Sequence, residues 1–386
     1  MKENYLARSV FSEISRKLKP QKVLILLGPR RVGKTAILKE YVASLDKKKY
    51  LFYNGEDIRT HELLAERSIR NYRRVIGNHK LLVIDEAQKI PDIGNKLKLM
   101  VDTVQDLRIL VTGSSMLDLT NRLGEPLLGR SYTLRLFPLA QMEYSKYEKY
   151  ADTRDKLEER LIFGSYPELE QINDWDEKAE YLDELIGSNL LKDILEFEGI
   201  RKSGKILDLL RLIAFQTGKE ISVDELANNL KGISRNTVEH YLELLSQVFV
   251  IYKVGGFSRN LRKEIIKSNR WYFVDNGVRN AVLKNFNQLR YRPDAGELWE
   301  NYVMSERIKY NAYTRKSVHY YFWRTYDQQE IDLIEEANGK LSAWEFKWNS
   351  GKKNSKAPAG WTRTYPEAKF KVITPDNYLD FIQPTK

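Results

Sequence analysis

The sequence predicts an α/β protein that opens with a doubly wound parallel-sheet domain. Three observations support this fold class. Short apolar runs alternate with polar helical stretches from about residue 20 to 135, long helical patterns dominate from 136 to 285, and a helix followed by three strand-like runs begins at Gly296. Short apolar runs between helices are typical of buried parallel strands. A length of 386 residues agrees with a chain of several domains.

The composition is that of a globular protein with a basic surface. Hydrophobic residues make up 42% and charged residues 30% of the chain, a mixture that excludes a disordered protein. Lysine and arginine number 64 against 53 acidic residues, a net charge of +11, which predicts an anionic partner: nucleic acid first, an acidic membrane second. The absence of cysteine excludes disulfides, thiolate zinc sites and cysteine nucleophiles.

The amino end has no leader-like pattern. The first ten residues, MKENYLARSV, lack a long apolar core and a small-residue cleavage site, and no apolar run approaches the length of a membrane span, about 18 residues. We therefore expect a cytoplasmic protein without a membrane partner.

A glycine-bounded loop follows the first apolar run. Residues 28–35 read GPRRVGKT, which fits the pattern G-x-x-x-x-G-K-[ST] between a strand and a helix. Inward-pointing N–H groups of such a loop bind phosphates, Lys34 reaches the outer phosphates, and Thr35 offers its hydroxyl to Mg²⁺. The loop predicts ATP, or a related nucleotide, bound with Mg²⁺. The predicted nucleotide-binding residues are Gly28, Pro29, Arg30, Arg31, Val32, Gly33, Lys34, Thr35 and Ala36.

Two acidic residues end the second apolar run. Asp85 and Glu86 follow Leu81–Ile84, and ligands of open α/β sheets bind at the carboxyl ends of strands. Asp85 is therefore predicted to hold Mg²⁺ together with Thr35, and Glu86 to orient the water that attacks the γ-phosphate.

Two further catalytic roles are predicted near this site. The third apolar run ends in TGSS at residues 112–115, where Ser114 is predicted to sense the γ-phosphate or the attacking water. Arg130 is predicted to act as an arginine finger toward a neighbouring subunit, and Arg122 is the second candidate for that role. A homo-oligomer follows from this expectation.

Nine sequence segments together carry a family resemblance. They read GPRRVGKT at 28–35, LLVIDEAQ at 81–88, VTGSS at 111–115, GR at 129–130, LRLFPLA at 134–140, GSYPE at 164–168, YLDELIGSNLLKDI at 181–194, WYFVDNGV at 271–278 and GELWEN at 296–301. The chain resembles AAA-superfamily ATPases of bacteria and archaea that have a winged helix and a C-terminal domain similar to restriction endonucleases. The resemblance implies an ATPase domain, a winged helix and a nuclease-like tail. Together with the changes in sequence pattern, it predicts four domains: an AAA-type P-loop ATPase at 1–135, a helical linker or lid at 136–200, a winged helix at 201–285 and a nuclease-like domain at 286–386.

Residues 221–247 predict two helices around a short break. Ser222 and Ser234 are predicted to cap them. The second helix has its apolar side at Val238, Tyr241, Leu242, Leu244 and Leu245, which leaves Arg235, Asn236, Glu239 and His240 facing outward where a recognition helix meets base edges. A basic wing is expected to follow at Arg259, Arg262, Lys263, Lys267 and Arg270. The pattern predicts DNA contact; a domain spacer or a subunit contact is the alternative.

A hairpin near the carboxyl end is predicted to carry the second site. The Asn338-Gly339 turn sets the register so that Asp332 faces Glu345 and Glu330 faces Lys347. Two opposed carboxylates repel each other unless a divalent cation lies between them, so a metal is expected there. The alternative is an edge strand whose exposed charges prevent aggregation.

The resemblance assigns roles to this hairpin. Asp332, Glu345 and Lys347 are similar to the D…E-x-K constellation of restriction-endonuclease-like domains, which implies metal-assisted hydrolysis of a phosphodiester. It also places Glu300 beside the metal, with Glu297 as the fallback. The implied metal ligands are thus Glu300, Asp332 and Glu345, and the implied catalytic residues Asp332, Glu345 and Lys347.

A basic-aromatic patch follows the hairpin, at Lys352, Lys353, Lys356, Trp361 and Arg363, and is read either as a nucleic-acid contact or as a solvated loop. Two functions therefore stay open. In the first, ATP turnover is coupled to DNA binding or processing. In the second, the chain is a nucleotide-controlled switch with a non-catalytic nuclease-like scaffold.

Overall fold

The computed structural model describes residues 6–114, 127–190, 203–258, 269–349, 351 and 356–384. The chain divides into two compact units. The first contains the residues up to Pro138 together with Gln247–Phe249, and the second contains Leu139–Ser246 and Val250 onward. Among the helices of the described ranges, none combines the length and the apolar character needed to cross a membrane.

A five-stranded parallel sheet forms the centre of the first unit. The order of its strands is β2-β3-β4-β1-β5. Their bounds are β1 Lys22–Leu27, β2 Tyr50–Asn54, β3 Leu81–Asp85, β4 Arg108–Gly113 and β5 Ser131–Arg135. The apolar runs predicted as buried strands are β1, β3 and β4, which are almost entirely shielded from solvent, so this part of the prediction is confirmed.

Five helices of the described ranges accompany this sheet, as the α/β pattern predicts. They are α1 Val10–Lys17, α2 Lys34–Ala43, α3 Ile58–Leu63, α4 Ile69–Ile76 and α5 Ile93–Thr103. Apolar side chains of α4 and α5, among them Tyr72, Leu97 and Met100, pack in one core with the strands β1, β3 and β4. Because all five strands are parallel, their carboxyl ends share one edge, at which β1, β3 and β4 bring together the predicted nucleotide-binding residues.

The second unit contains eleven helices within the described ranges. They are α6 Gln141–Tyr144, α7 Tyr150–Asp155, α8 Leu157–Phe163, α9 Trp175–Glu184, α10 Ser203–Phe215, α11 Val223–Leu230, α12 Arg235–Gln247, α13 Asn276–Leu283, α14 Ala295–Tyr313, α15 Ala359–Thr364 and α16 Leu379–Ile382. A π-helical turn, Leu185–Leu190, continues α9. Tyr181, Leu182 and Leu185 of these helical turns are buried.

Seven strands of the second unit form one mixed sheet in the order β12-β11-β10-β9-β7-β8-β6. Their bounds are β6 Glu220–Ile221, β7 Ile251–Gly256, β8 Asn269–Phe273, β9 His319–Arg324, β10 Glu330–Ala337, β11 Lys340–Phe346 and β12 Lys369–Ile373. The sequence predicts three strands after α14, whereas the residues described there contain four, because the short run of β12 adds in parallel to β11.

The sheet joins two regions that the sequence assigns to separate domains. Strand β7 pairs in parallel with β9, with Gly255 opposite Tyr321 and Gly256 opposite Phe322. The predicted boundary near residue 285 therefore falls inside one continuous sheet, and the four-domain division stays a prediction. Helix α14 covers one face of this sheet, where its Trp299 and Val303 pack in one core with Phe322.

Candidate functional site

The loop after β1 has the backbone that a phosphate-binding loop requires. Gly33, at the amino end of α2, has a φ of +95°, a backbone conformation that residues other than glycine rarely adopt. A Cβ on Gly28 would lie 2.2 Å from the carbonyl oxygen of Leu136, so only glycine fits there. These two positions explain the spacing of the glycines in the motif.

Lys34 lies inside this loop. Its ammonium group donates to the carbonyl oxygens of Gly28 and Pro29, both at 2.9 Å, and its side chain is buried. The lysine is thereby held beneath the curve of the loop. This is the side on which the loop would meet the outer phosphates of a nucleotide.

Thr35 and Asp85 meet at the carboxyl edge of the sheet. The Thr35 hydroxyl donates to Asp85 Oδ2 at 2.6 Å, although the two residues lie 50 positions apart in the chain. A hydroxyl and a carboxylate in contact are the oxygen donors that Mg²⁺ uses beside nucleotide phosphates. The donor set therefore fits the predicted magnesium ion.

Glu86 is held by a polar network that reaches the end of β4. Its backbone is left-handed, with a φ of +48°, and its N–H donates to the Thr112 hydroxyl at 2.9 Å. Thr112 in turn donates to Asp85 Oδ1 at 2.5 Å. Because Thr112 is fully buried, it ties the two acidic residues together rather than meeting a phosphate.

Gln88 connects Glu86 with the predicted sensor Ser114. The side-chain amide of Gln88 donates to Glu86 Oε2 at 2.6 Å and to the Ser114 hydroxyl at 3.2 Å, and both Gln88 and Ser114 are buried. Sequence reasoning missed Gln88. Its position two residues after Glu86, in the turn Ala87–Lys89, is the signal that could have indicated it.

Arg8 is a second residue that sequence reasoning missed. Its guanidinium donates to the carbonyl oxygens of Val32 at 2.7 Å and Phe137 at 2.6 Å, and the side chain is buried. Arg8 thus braces the glycine loop from outside. No motif surrounds it, so the sequence gives no sign of this role.

Arg130 lies away from the loop within its own chain. It directly precedes β5, at the amino edge of the sheet, and pairs with Asp102 through Nε at 2.7 Å. Its predicted role toward a neighbouring subunit stays a prediction. Arg122, the second candidate, lies outside the described residues.

The second predicted site lies in a cleft of about 500 Å³ in the second unit. The turn at Asn338-Gly339 has left-handed φ values of 51° and 73°, and β10 pairs with β11 in the predicted register, for example Leu333 with Trp344. The predicted hairpin register is therefore confirmed. The recorded pairs begin at Leu333 and Trp344, so the facing of Asp332 and Glu345 stays a prediction.

Arg270 is the main departure from the sequence prediction. It was expected on an exposed basic wing, but its side chain is 4% exposed and its guanidinium lies among carboxylates of the cleft. Nη2 is 3.0 Å from Glu330 Oε2, and Nη1 is 3.4 Å from Asp332 Oδ1 and 3.9 Å from Glu300 Oε1. Strand β8 turns this residue into the cleft, where the carboxylates stabilise its charge. The other four residues of the predicted wing lie outside the described residues.

The predicted metal ligands do not form a metal cage. Among the described residues, no three carboxylate or histidine side chains come close enough together to hold a metal ion. Asp332 also accepts the Phe346 N–H at 2.8 Å, and Glu345 pairs with Lys347 at 2.5 Å. As arranged, Glu300, Asp332 and Glu345 do not fit a bound Mg²⁺. The fallback Glu297 pairs with Lys219 at 3.3 Å.

Burial shifts three carboxyl groups at this site toward their neutral forms. Burial, with repulsion from Asp332, raises the pKa of Glu300 to about 8 against the opposing effect of Arg270. Burial and Asp332 likewise raise the pKa of Glu345 to about 7, against Lys347. Burial also raises the pKa of Asp332. Arg270 alone does not offset the desolvation of these acids.

The helix pair of α11 and α12 has the predicted caps and faces. Ser222 Oγ accepts the Glu225 N–H at 3.0 Å and Ser234 Oγ accepts the Thr237 N–H at 3.2 Å. The five predicted apolar residues of α12 are buried, and its four predicted outward residues are exposed. Arg235 is paired there with Asp224 at 3.1 Å and with Glu239 at 3.2 Å.

The predicted basic-aromatic patch loses its aromatic member. Trp361 is 1% exposed and contacts Trp323, with ring centroids 5.3 Å apart, so it belongs to a core and does not stack on a base. Lys356 and Arg363 are exposed, while Lys352 and Lys353 lie outside the described residues.

Comparison with known families divides the chain into three matches. The model of an AAA domain matches residues 20–145, and models of two domains of unknown function, DUF8612 and DUF4143, match residues 154–289 and 295–380.

Relatives of the chain include an uncharacterized protein of Methanocaldococcus jannaschii, 26% identical over 85% of this chain and 75% of that protein. An uncharacterized protein of Mycobacterium tuberculosis is 26% identical over 89% of this chain and 74% of its own length. Among solved structures, a signal transduction ATPase with numerous domains from Pyrococcus horikoshii is 15% identical, with a TM-score of 0.31. That match covers 81% of this chain and 48% of the Pyrococcus horikoshii chain, so this chain spans about half of that protein's length. The AAA-domain match, together with the loop and the acidic pair, supports an AAA-superfamily ATPase.

Proposed function

We propose that this protein hydrolyses ATP in its first unit and couples the hydrolysis to DNA binding by its second unit. The observation that carries the ATPase proposal is the 2.6 Å hydrogen bond between Thr35 and Asp85, which joins the glycine loop to the acidic strand end. A Mg²⁺ ion bound there would neutralise charge on the phosphate oxygens. Lys34 is held under the same loop.

Glu86 is the residue that we propose to orient the attacking water. It directly follows the strand that carries Asp85, and Gln88 holds its carboxylate. A group that orients or deprotonates the nucleophile contributes about 100-fold or more to the rate. Arg130 of a neighbouring copy would complete the site in a homo-oligomer, the arrangement that we expect.

The experiment is phosphate release by the full chain with ATP and Mg²⁺. Lys34→Ala should lose nucleotide binding, whereas Glu86→Gln should keep binding and lose about 100-fold or more in kcat. Glu62→Gln, which changes an exposed acid of the same unit, is the matched control and should match the wild type. Unchanged turnover in Glu86→Gln would show that another residue positions the water.

DNA contact is proposed for the amino end of α12. Support comes from the exposed side chains Arg235, Asn236 and His240 and from the net charge of +11. The ion pairs of Arg235 with Asp224 and Glu239 would have to open for it to reach a phosphate or a base. DNA binding should therefore be moderate and strongly salt-dependent.

Anisotropy of a labelled duplex, measured over a salt series, tests this contact, together with DNA-stimulated phosphate release. Arg235→Ala should weaken binding and flatten the salt dependence. Arg211→Ala is the matched control, because Arg211 is equally exposed on α10 and pairs with Asp208. Equal losses in both variants, or hydrolysis indifferent to DNA, would favour a nucleotide-controlled switch without DNA.

A second candidate function concerns the nuclease-like tail. Arg270 among the carboxylates favours a non-catalytic scaffold over an active nuclease, although the hairpin has the predicted register. Plasmid nicking with Mg²⁺ or Mn²⁺ tests the choice. We expect none from the wild type; nicking that is lost in Asp332→Ala would instead establish the nuclease.

A further inference from the structure

We propose that Arg270 is the resident cation of the carboxylate cleft and masks a latent divalent-metal site there. Its guanidinium contacts Glu330 and Asp332 and approaches Glu300. This inference concerns the second unit and goes beyond the proposed nucleotide hydrolysis, so either can fail alone.

An aromatic ring and several carboxylates fix the position of the Arg270 side chain. The residue lies on β8, between β6 and β7, and its guanidinium carbon is 4.7 Å from the ring centroid of Phe322. The side chain is 4% exposed, and its Nε has no hydrogen-bond partner. The guanidinium is therefore held by the ring beneath it and by the carboxylates that meet its two Nη atoms. A side chain this enclosed cannot rotate out to solvent unless its surroundings move.

The chemistry of the two cations decides which one the cleft holds. Mg²⁺ requires close to octahedral geometry at about 2.0–2.1 Å and gives up its water reluctantly. A guanidinium is weakly hydrated and planar, and it can serve several carboxylates at once. Arg270 already engages the oxygens of Glu330 and Asp332. A metal entering the cleft would have to displace those contacts and approach a buried positive charge.

The lining of the cleft contains more acidic than basic side chains. Its lining contains the acids Glu220, Glu297, Glu300, Glu330 and Asp332, and the bases Lys219, Arg270, Arg324 and Lys347. Without Arg270, five carboxyl groups would face three cations. In addition, Glu345 Oε2 is buried without a hydrogen-bond partner. Removal of the guanidinium would thus leave Glu330 and Asp332 without the cation that now contacts both of them.

Mn²⁺ binding to the full chain without nucleotide, followed by electron paramagnetic resonance, tests the masking. The wild type and Asp332→Asn should bind the same number of Mn²⁺ ions. Arg270→Met should bind one more, at least tenfold tighter than any Mn²⁺ binding at the cleft of the wild type, and Arg270→Met/Asp332→Asn should lose it. Arg270→Lys, which keeps a cation, should match the wild type.

Two results would overturn the proposal. If the wild type binds one Mn²⁺ more than Asp332→Asn, the site is open with Arg270 in place. If Arg270→Met folds and gains no ion, Arg270 is not what excludes the metal. Loss of a buried counter-charge is strongly destabilising, so circular dichroism must show a folded variant. Should Arg270→Met unfold, Arg270→Met/Glu330→Gln removes one repelling charge and carries the same expectation.

Discussion

The hydroxyl of Thr35 donates to the carboxylate of Asp85 at 2.6 Å and so joins the first turn of α2 to the end of β3. Each residue occupies the place that its motif gives it. The contact joins two elements that are distant in sequence, so a change at either residue probes the whole proposed nucleotide site.

Removal of this hydroxyl should weaken the magnesium-dependent part of nucleotide binding. We expect Thr35→Ala to reduce affinity for ATP with Mg²⁺ by about 10- to 100-fold, the range found when oriented partners of a metal site are lost. Binding in the presence of a chelator should change little. Fluorescence titration with a labelled ATP measures both. Thr35→Ser keeps the hydroxyl and should behave as the wild type; an equal loss in Thr35→Ser would mean that the methyl group, not the hydroxyl, matters.

Gln88 should affect turnover more than binding. Its amide holds the Glu86 carboxylate at 2.6 Å and the Ser114 hydroxyl at 3.2 Å, so Gln88→Ala frees both groups. Misplaced catalytic groups slow the chemical step, and we expect kcat to fall by about tenfold or more with KM nearly unchanged. Steady-state phosphate release separates the two constants. A rise in KM at constant kcat would contradict a positioning role.

Gly28→Ala should disturb the glycine loop without changing its chemistry. The added Cβ would lie 2.2 Å from the backbone oxygen of Leu136, which cannot move aside as a side chain can. Overpacking of this kind costs about 1–3 kcal/mol. Thermal unfolding and ATP binding should both be impaired. Gly296→Ala, in α14, meets nothing within 4 Å and is the control; an equal effect there would remove the steric explanation.

The pKa of Glu300 predicts a stability that falls with rising pH. Its folded-state pKa of about 8 lies above the ordinary value of 4.5 for a glutamate, so between these pH values the folded chain binds more protons than the unfolded chain. Stability contributed by the neutral carboxyl is therefore complete below about pH 4.5 and is lost as the pH rises through about 8.

Urea unfolding at pH 5.5 and 8.5 measures this effect. Between these pH values the wild type should lose more stability than Glu300→Gln, which remains neutral and can still accept from Tyr272, whose hydroxyl is 2.7 Å from Glu300 Oε1. Titrating groups away from the cleft are common to both proteins and cancel in the comparison. Parallel pH profiles would show that Glu300 ionises normally.

Local patterns predicted much of the fold and most of the first site. The strands β1, β3 and β4, the start of α2 after the loop and the hairpin register all depend on short-range signals: apolar runs, a motif and an Asn-Gly turn. The caps at Ser222 and Ser234 were equally local.

Long-range neighbours set the limit of prediction. The burial of Arg270 depends on Glu330 and Asp332, about 60 residues later in the chain. In the sequence alone, a basic residue at a strand end is equally typical of an exposed wing. Trp361 becomes a core residue only because Trp323 packs on it. Arg8 braces a loop through backbone carbonyl oxygens, which have no signature in a sequence.

The pairing of β7 with β9 has a mechanical consequence. Hydrogen bonds between Gly255–Gly256 and Tyr321–Phe322 join the strand that follows α12 to the strand that precedes the acidic hairpin. If a bound molecule displaced α12, the displacement would be transmitted to the hairpin through the paired strands β7 and β9 rather than through a hinge. Helix α12 and the carboxylate cleft would then move together, and a cut in the peptide chain between them would not uncouple them.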